Sequence, residues 1–229
     1  MKQLTLFFLI AASNLCLGQK ITYNEWKIKA KTEIRLLPEF GHAVKNSGQL
    51  AADKEFIETT LADQKNPRKA SDASISRGFQ YLYSGDPVTA MYRFNQAWLL
   101  DNKNENVYWG YAAVYFYFED YNEALRQHET GLKINPKSAN LLTDKGTVHF
   151  VLYTKSGNKA YFANAIKLLE SSYRIDPSNQ NTSYKLSILY FNKNDCINAV
   201  KYFKVCKELG GKPIEAAYEQ ALRSKCKLN

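Results

Sequence analysis

The chain has 229 residues, enough to bury a sizeable core, with 45% hydrophobic and 14% aromatic residues and a formal net charge of +9. Its lysines are scattered and no arginine-rich tract occurs, so the charge reads as solubility and not as a nucleic-acid-binding face. No segment after the first eighteen residues is apolar enough to span a bilayer, which leaves the rest of the chain without a transmembrane segment. Residues 1–18 read as a signal peptide. Lys2 supplies the positive start, Leu4 to Ala12 the apolar run, and Gly18 the exit before Gln19. Lipidation at Cys16 is the weaker alternative, because Leu15 stands where a lipoprotein signal needs a small residue. The mature protein expected from cleavage is periplasmic or secreted.

Residues 19–70 come next. Trp26, Ala30, Ile34 and Leu37 recur at helical spacing between Lys27, Lys31 and Arg35, which predicts a helix over 21–37 ended by Pro38 and Gly41. A second helix is predicted over 50–62, with Leu50, Ile57 and Leu61 on one side, before Asn66-Pro67 breaks the chain. The two helices read as an atypical cap over the first repeat; an arm that folds on binding is the alternative.

From residue 71 the chain repeats itself. Ala90, Ala124, Ala165 and Ala199 sit inside helical runs at steps of 34, 41 and 34 residues. Gly78, Ala112, Gly146 and Ser187 are the small residues of a helix preceding each, and Asn102, Pro136, Pro177 and Gly211 close the units. Small residues let paired backbones approach, and a period of 34 signals a stacked helix–turn–helix solenoid. The first unit, 71–104, carries Tyr81, the turn Gly85-Asp86-Pro87, then Phe94 and Ala97. The second, 105–138, carries Tyr108, Tyr111, Tyr115, Gly131 and Pro136. The third begins at Ala139 and holds seven extra residues between Gly146 and Ala165. Seven residues are almost two helical turns, so one turn added to each helix keeps every buried face and gives a taller hairpin with its tip at Lys155–Asn158. A loop on an ordinary repeat is the alternative. The fourth unit, 180–211, keeps Tyr184, Ser187, Tyr190, Phe203 and Cys206. A last helix over 213–225, within a capping segment 212–229, covers the open edge with Ala217, Ala221 and Leu222.

This order of aromatic, small, alanine and proline positions resembles the tetratricopeptide repeat (TPR) family over residues 71–225. Ser74, Arg77 and Asn102 depart from its pattern in the first unit, and His128 in the second. The resemblance implies an all-α, right-handed α–α superhelix with an N-terminal helical cap, about ten helices or eleven if all form. It also implies that the first helices of the pairs line a concave face that binds partners. Carried onto this register, that face presents Phe79, Tyr83, Asn106, Trp109, Phe116, Tyr117, Asn140, Asn181, Tyr184 and Phe191. Asn106, Asn140 and Asn181 share one repeat position and suit an extended peptide backbone, whose donors and acceptors a side-chain amide matches. Trp109 and the tyrosines supply flat apolar contact. The family's lysine–asparagine clamp for acidic C-terminal tails is not expected, since Ile75 and Phe79 hold those places. The expected function is a non-enzymatic module of the bacterial envelope that binds a protein or peptide partner, as an assembly factor or a toxin-neutralising immunity protein. Glycan binding through Trp109, Tyr117 and Tyr184 is the alternative. A cap that filled the groove would defeat both.

Cys196, Cys206 and Cys226 remain after the leader. If the fourth unit's second helix and the terminal helix run antiparallel about a turn near Gly211, residues 196 and 226 lie opposite each other. A Cys196–Cys226 bridge with a buried free Cys206 is therefore predicted, and three reduced core cysteines are the alternative. His42, His128 and His149 have no acidic or cysteine partner at metal-ligand spacing and read as packing residues. No nucleophile elbow, phosphate-cradling loop or HExxH segment occurs, so neither catalysis nor a cofactor is expected.

Overall fold

The computed structural model describes residues 21–226; the segment read as a signal peptide lies outside them. Among the described residues, α1 (Tyr23–Ala30) and α2 (Ser47–Gln64) precede four hairpins. These are α3 (Pro67–Tyr83) with α4 (Pro87–Leu100), and α5 (Asn106–Tyr117) with α6 (Tyr121–Ile134). The third and fourth are α7 (Ala139–Ser156) with α8 (Lys159–Ile175), and α9 (Gln180–Asn192) with α10 (Cys196–Glu208). The chain closes on α11 (Ala216–Cys226). This is an all-α stack of paired helices.

Three of the hairpins turn by one device. The first helix ends on a left-handed residue, Gly85 (φ 85°), Glu119 (φ 60°) or Asn194 (φ 63°). The amide of the following aspartate reaches back to the carbonyl of Tyr81, Tyr115 or Tyr190, which satisfies the helix end. That aspartate then starts the next helix: Asp86, Asp120 and Asp195 each accept the third helical amide, of Thr89, Glu123 and Asn198. The third hairpin uses Gly157 and Asn158 instead, at the end of taller helices. Helices α7 and α8 have 18 and 17 residues against 12 and 14 in the preceding pair. Their extra turns pack Tyr153 on Phe162, with ring centroids 4.8 Å apart.

Gly78 acts where the repeat pattern puts it, and Gly110, which the pattern does not single out, acts with it. A Cβ on Gly78 or Gly110 would stand 2.4 or 2.3 Å from the ring of Phe94, which is fully buried between the two. One core surrounds Phe94 and Tyr111, and a second joins Leu169, Leu186, Phe203 and Tyr218. Where the third and fourth hairpins meet, Thr143 lies 2.7 Å from Ser172 and 2.6 Å from Thr182, a buried hydroxyl cluster that satisfies itself.

The ends differ from the helices expected there. The predicted helix over 21–37 stops at Ala30; Ile34–Leu36 form a short 3-10 turn and Pro38–His42 a turn of left-handed residues. The cause is capture of the main chain. Asn95 Nδ2 donates to the carbonyls of Arg35 (2.8 Å) and Leu37 (2.9 Å), and the Glu39 amide donates to the Tyr111 hydroxyl (3.2 Å). Carbonyls held by the solenoid are not free for a helical ladder. Trp26, Leu36 and Phe40 are the residues this arm buries. Helix α2 runs longer than expected but buries none of its residues, and Leu50 is exposed. At the other end, the helix expected from Pro213 begins at Ala216. Gly210 and Gly211 take positive φ, while Gln180 Oε1 accepts the Lys212 amide and the Tyr184 hydroxyl accepts the Glu215 amide. Its buried face is Tyr218 and Leu222; Ala217, expected inside, is exposed. Cys196 and Cys226 are bridged with Cα atoms 5.3 Å apart, and Cys206 is free and buried.

Candidate functional site

Consecutive first helices α3, α5, α7 and α9 approach one another, whereas consecutive second helices scarcely touch, so the stack curves with the first helices inside. Across that inner side runs a chain of contacts. The Phe79 ring meets Trp109 at 4.3 Å, and Trp109 Nε1 donates to Asp144 Oδ2 at 2.7 Å. Lys185 Nζ donates to the other oxygen of Asp144 at 2.8 Å. Burial acts to raise the Asp144 pKa, but the Lys185 ammonium and the indole N–H outweigh it and hold the carboxyl below its ordinary range. The pair is therefore ionised and mutually neutralised. Above it stands Tyr83, 80% exposed and stacked on Phe79, its hydroxyl pKa pushed up by partial burial and by the Asp144 charge.

Tyr83, Trp109, Asn140, Asp144, Asn181 and Lys185 line a pocket of about 210 Å³ on this face. Four of the predicted residues are thus brought together, and a fifth, Phe79, is buried beneath them. The remaining five lie elsewhere. Asn106 lies outside the pocket, its amide donating to Asn104 Oδ1. Phe116 packs on Tyr121 and Tyr117 on Phe118 at the end of α5. Tyr184 is buried, edge-on to Tyr218, and Phe191 packs on Tyr218 with the Lys225 ammonium over its ring at 4.4 Å. The terminal helix thus occupies the inner end of the fourth repeat. The periodic argument missed Asp144 and Lys185. Each stands four residues after one of the recurrent asparagines, on the same helical face, and that spacing is the signal that finds them.

The arm does not enter this pocket. Its ring contacts and hydrogen bonds go to α4, to Tyr111 and to the α5–α6 turn: Tyr23 donates to Asp120 at 2.5 Å, Trp26 packs on Phe118 and Phe40 on Trp98. Arg35 stacks on Tyr92, whose hydroxyl meets Glu33. His128 is buried and His149 partly so, and the Nδ1 of each has no hydrogen-bond partner among the described residues. Among the described residues no cluster of His, Cys, Asp and Glu has the arrangement of a metal site, and no helix is long and apolar enough to cross a membrane.

Comparison with solved structures places the architecture. A thermophilic TPR protein from Thermus thermophilus matches 68% of this chain and 79% of its own, at 17% identity and a TM-score of 0.55. PilF of Pseudomonas aeruginosa matches 79% and 90%, at 16% identity and 0.51. The Cut9–Hcn1 hetero-tetramer of the APC/C matches 79% of this chain but only 33% of that one, at 18% identity and 0.53. The fold is a TPR-like α solenoid. No protein-family model and no curated protein matches the sequence.

Proposed function

We propose that the protein is a non-enzymatic binding module that holds a peptide or protein segment on its concave face. The observation that carries this reading is the pocket that joins exposed Tyr83 and half-buried Trp109 to Asn140, Asn181 and the Asp144–Lys185 pair. Flat aromatic surface beside side-chain amides suits an extended main chain, because each amide offers a donor and an acceptor. The sugar-binding reading is weaker, since Trp109 spends its N–H on Asp144 and one of its faces on Phe79. Export to the periplasm or beyond belongs to the same proposal, supported by the leader-like residues 1–18 and by the Cys196–Cys226 bridge, a bond that persists in oxidising compartments. In that setting the module assembles an envelope complex or neutralises a toxin.

The test is a pull-down from the native envelope with the wild type and a Tyr83→Ala/Asn181→Ala variant, both changes falling on exposed side chains. A partner recovered by the wild type should lose affinity by on the order of a hundredfold in the variant. A partner held equally by both, with helicity intact, would remove the concave face from the proposal.

A further inference from the structure

A second cavity, of about 400 Å³, lies away from the concave pocket, in the seam between the arm and the α5–α6 hairpin. The arm enters it through an unusual backbone. Glu39, Phe40, Gly41 and His42 have φ of 54°, 57°, 64° and 54°, a left-handed turn that L-residues avoid unless the surroundings impose it. Here they do. Phe40 is buried with the Lys45 ammonium over its ring, and the Glu39 amide is held by Tyr111. The consequence is that Glu39 lines the cavity from the arm, facing residues of α5 and α6.

The cavity carries three carboxylates, of Glu39, Asp120 and Glu123, against the single guanidinium of Arg126. In a chain of net charge +9 this local excess of negative charge runs against the whole. Arg126 is paired first with Glu123, to which two of its nitrogens donate at 2.9 and 2.6 Å. Asp120 is likewise engaged, by the Tyr23 hydroxyl and by the start of α6. Glu39 is the acid without a lysine or arginine ion pair. Its carboxylate meets the His42 ring only at 3.6 Å and accepts from the Tyr108 hydroxyl, whose pKa burial and that carboxylate push up to about 12.

Two further groups lining the cavity are almost wholly buried yet incompletely bonded. Tyr115 is 6% exposed and its hydroxyl makes no hydrogen bond among the described residues. Gln127 is 2% exposed; its amide nitrogen donates to Glu123 at 2.7 Å, while its amide oxygen has no donor among the described residues. Both residues line the cavity, and acceptors open to it in acidic surroundings favour a donor that carries positive charge. These carboxylates do not converge as a metal-ligand set does. The geometry points to a binding site for a small organic cation, an ammonium or guanidinium group, paired by Glu39 and hydrogen-bonded by Gln127 and Tyr115. The group comes either from a free amine or from a lysine or arginine side chain of a bound polypeptide. The site is separate from the concave pocket and stands whether or not that pocket binds a partner.

Calorimetric titration of the whole protein tests it, with agmatine as the free amine and an end-blocked Ala-Arg-Ala peptide as the side-chain probe. A peptide with citrulline in place of arginine is the uncharged control. Saturable binding of agmatine alone assigns a free amine, and binding of the arginine peptide alone or more tightly assigns a side chain; either supports the site. Glu39→Gln and Tyr115→Phe should each weaken binding about tenfold, the loss of one charge-assisted or buried hydrogen bond. Both keep the side-chain shape, and unchanged melting and circular dichroism would show that the fold survives. Tyr83→Ala, on the concave face, should leave it unchanged. Absence of heat with both probes at saturating millimolar concentration overturns the proposal. So does equal binding of the citrulline peptide, or binding indifferent to Glu39→Gln and Tyr115→Phe.

Discussion

Asn95→Ala should detach the arm from the solenoid. Asn95 is almost fully buried and makes three hydrogen bonds, to the carbonyls of Arg35 and Leu37 and from the Tyr111 hydroxyl at 2.7 Å. Each is worth about 1 kcal/mol net, and stranding one side of the buried Tyr111 hydroxyl adds a desolvation cost, for about 3–5 kcal/mol in all. Against that, the burial of Trp26, Leu36 and Phe40 holds the arm with about 2 kcal/mol each, less the entropy of ordering its backbone. The loss is thus comparable with what retains the arm, and residues 33–42 should open before the helices behind them. Hydrogen exchange followed by mass spectrometry reads this directly: amides of 33–42 should exchange much faster while α7 to α10 keep their protection. The melting temperature should fall by roughly 10 °C for a chain of this size. Tyr111→Phe completes a double-mutant cycle, with coupling of about 1 kcal/mol expected between the two. A loss under about 1 kcal/mol, with exchange of 33–42 unchanged, would refute the assignment of the arm's attachment to these bonds.

Two other expectations concern the buried ring of His128 and the C-terminal bridge. Burial lowers the His128 pKa to about 4, the positive charges of Lys145 and Lys185 acting in the same direction and Asp144 against them. The unfolded chain therefore binds this proton first. The stabilisation is complete above pH 6.5 and is lost as the pH falls toward 4, by roughly 3 kcal/mol, and His149, also lowered, adds in the same sense. Urea unfolding across that window should show the loss, and His128→Phe should remove most of it; an unaltered slope in that variant would exclude His128 as its source. Cys226→Ser opens a loop of sequence separation 30 and should cost roughly 3 kcal/mol, with faster exchange confined to α11 and its contacts. Uniformly faster exchange would place the bridge in the global cooperative unit instead.

The repeats were legible because their signals are local and redundant. Ala90, Ala112 and Ala124 are fully buried, Gly78 leaves room only for the ring of Phe94, and three aspartates follow three left-handed residues. The bridge was legible for a related reason: the turn near Gly211 fixes which residues of α10 and α11 face each other. The arm was not. Trp26, Ala30, Ile34 and Leu37 do fall on one helical face, but the helical period says nothing of an asparagine sixty residues away that competes for the same carbonyls. Tyr184 and Phe191 failed to join the other concave residues for a similar reason. Their repeat positions are those of Trp109 and Phe116, yet only the path of α11, set by Gln180 and the two glycines, decides that Tyr218 covers them.

The two faces of the solenoid divide the work in a way that bears on what a partner meets. Away from the concave pocket, Asn95 of α4 and Tyr111 of α5 are spent on the protein's own main chain, which is bound there as a ligand would be. On the inner side the fixed charges are spent on each other, since Asp144 gives one oxygen to Lys185 and the other to Trp109. A partner entering that pocket finds no unpaired charge to neutralise. What remains to be read is the exposed ring of Tyr83 and the amides of Asn140 and Asn181, groups that recognise the path of a backbone more than the sign of its side chains. Asn95 already shows this chemistry within the same chain: one amide nitrogen holds two carbonyls two residues apart, which fixes an irregular segment without reading any of its side chains. On the function proposed above, an inner face built on the same groups would select for a segment that can present its main chain along the helices, and would leave sequence preference to the aromatic ring beside it.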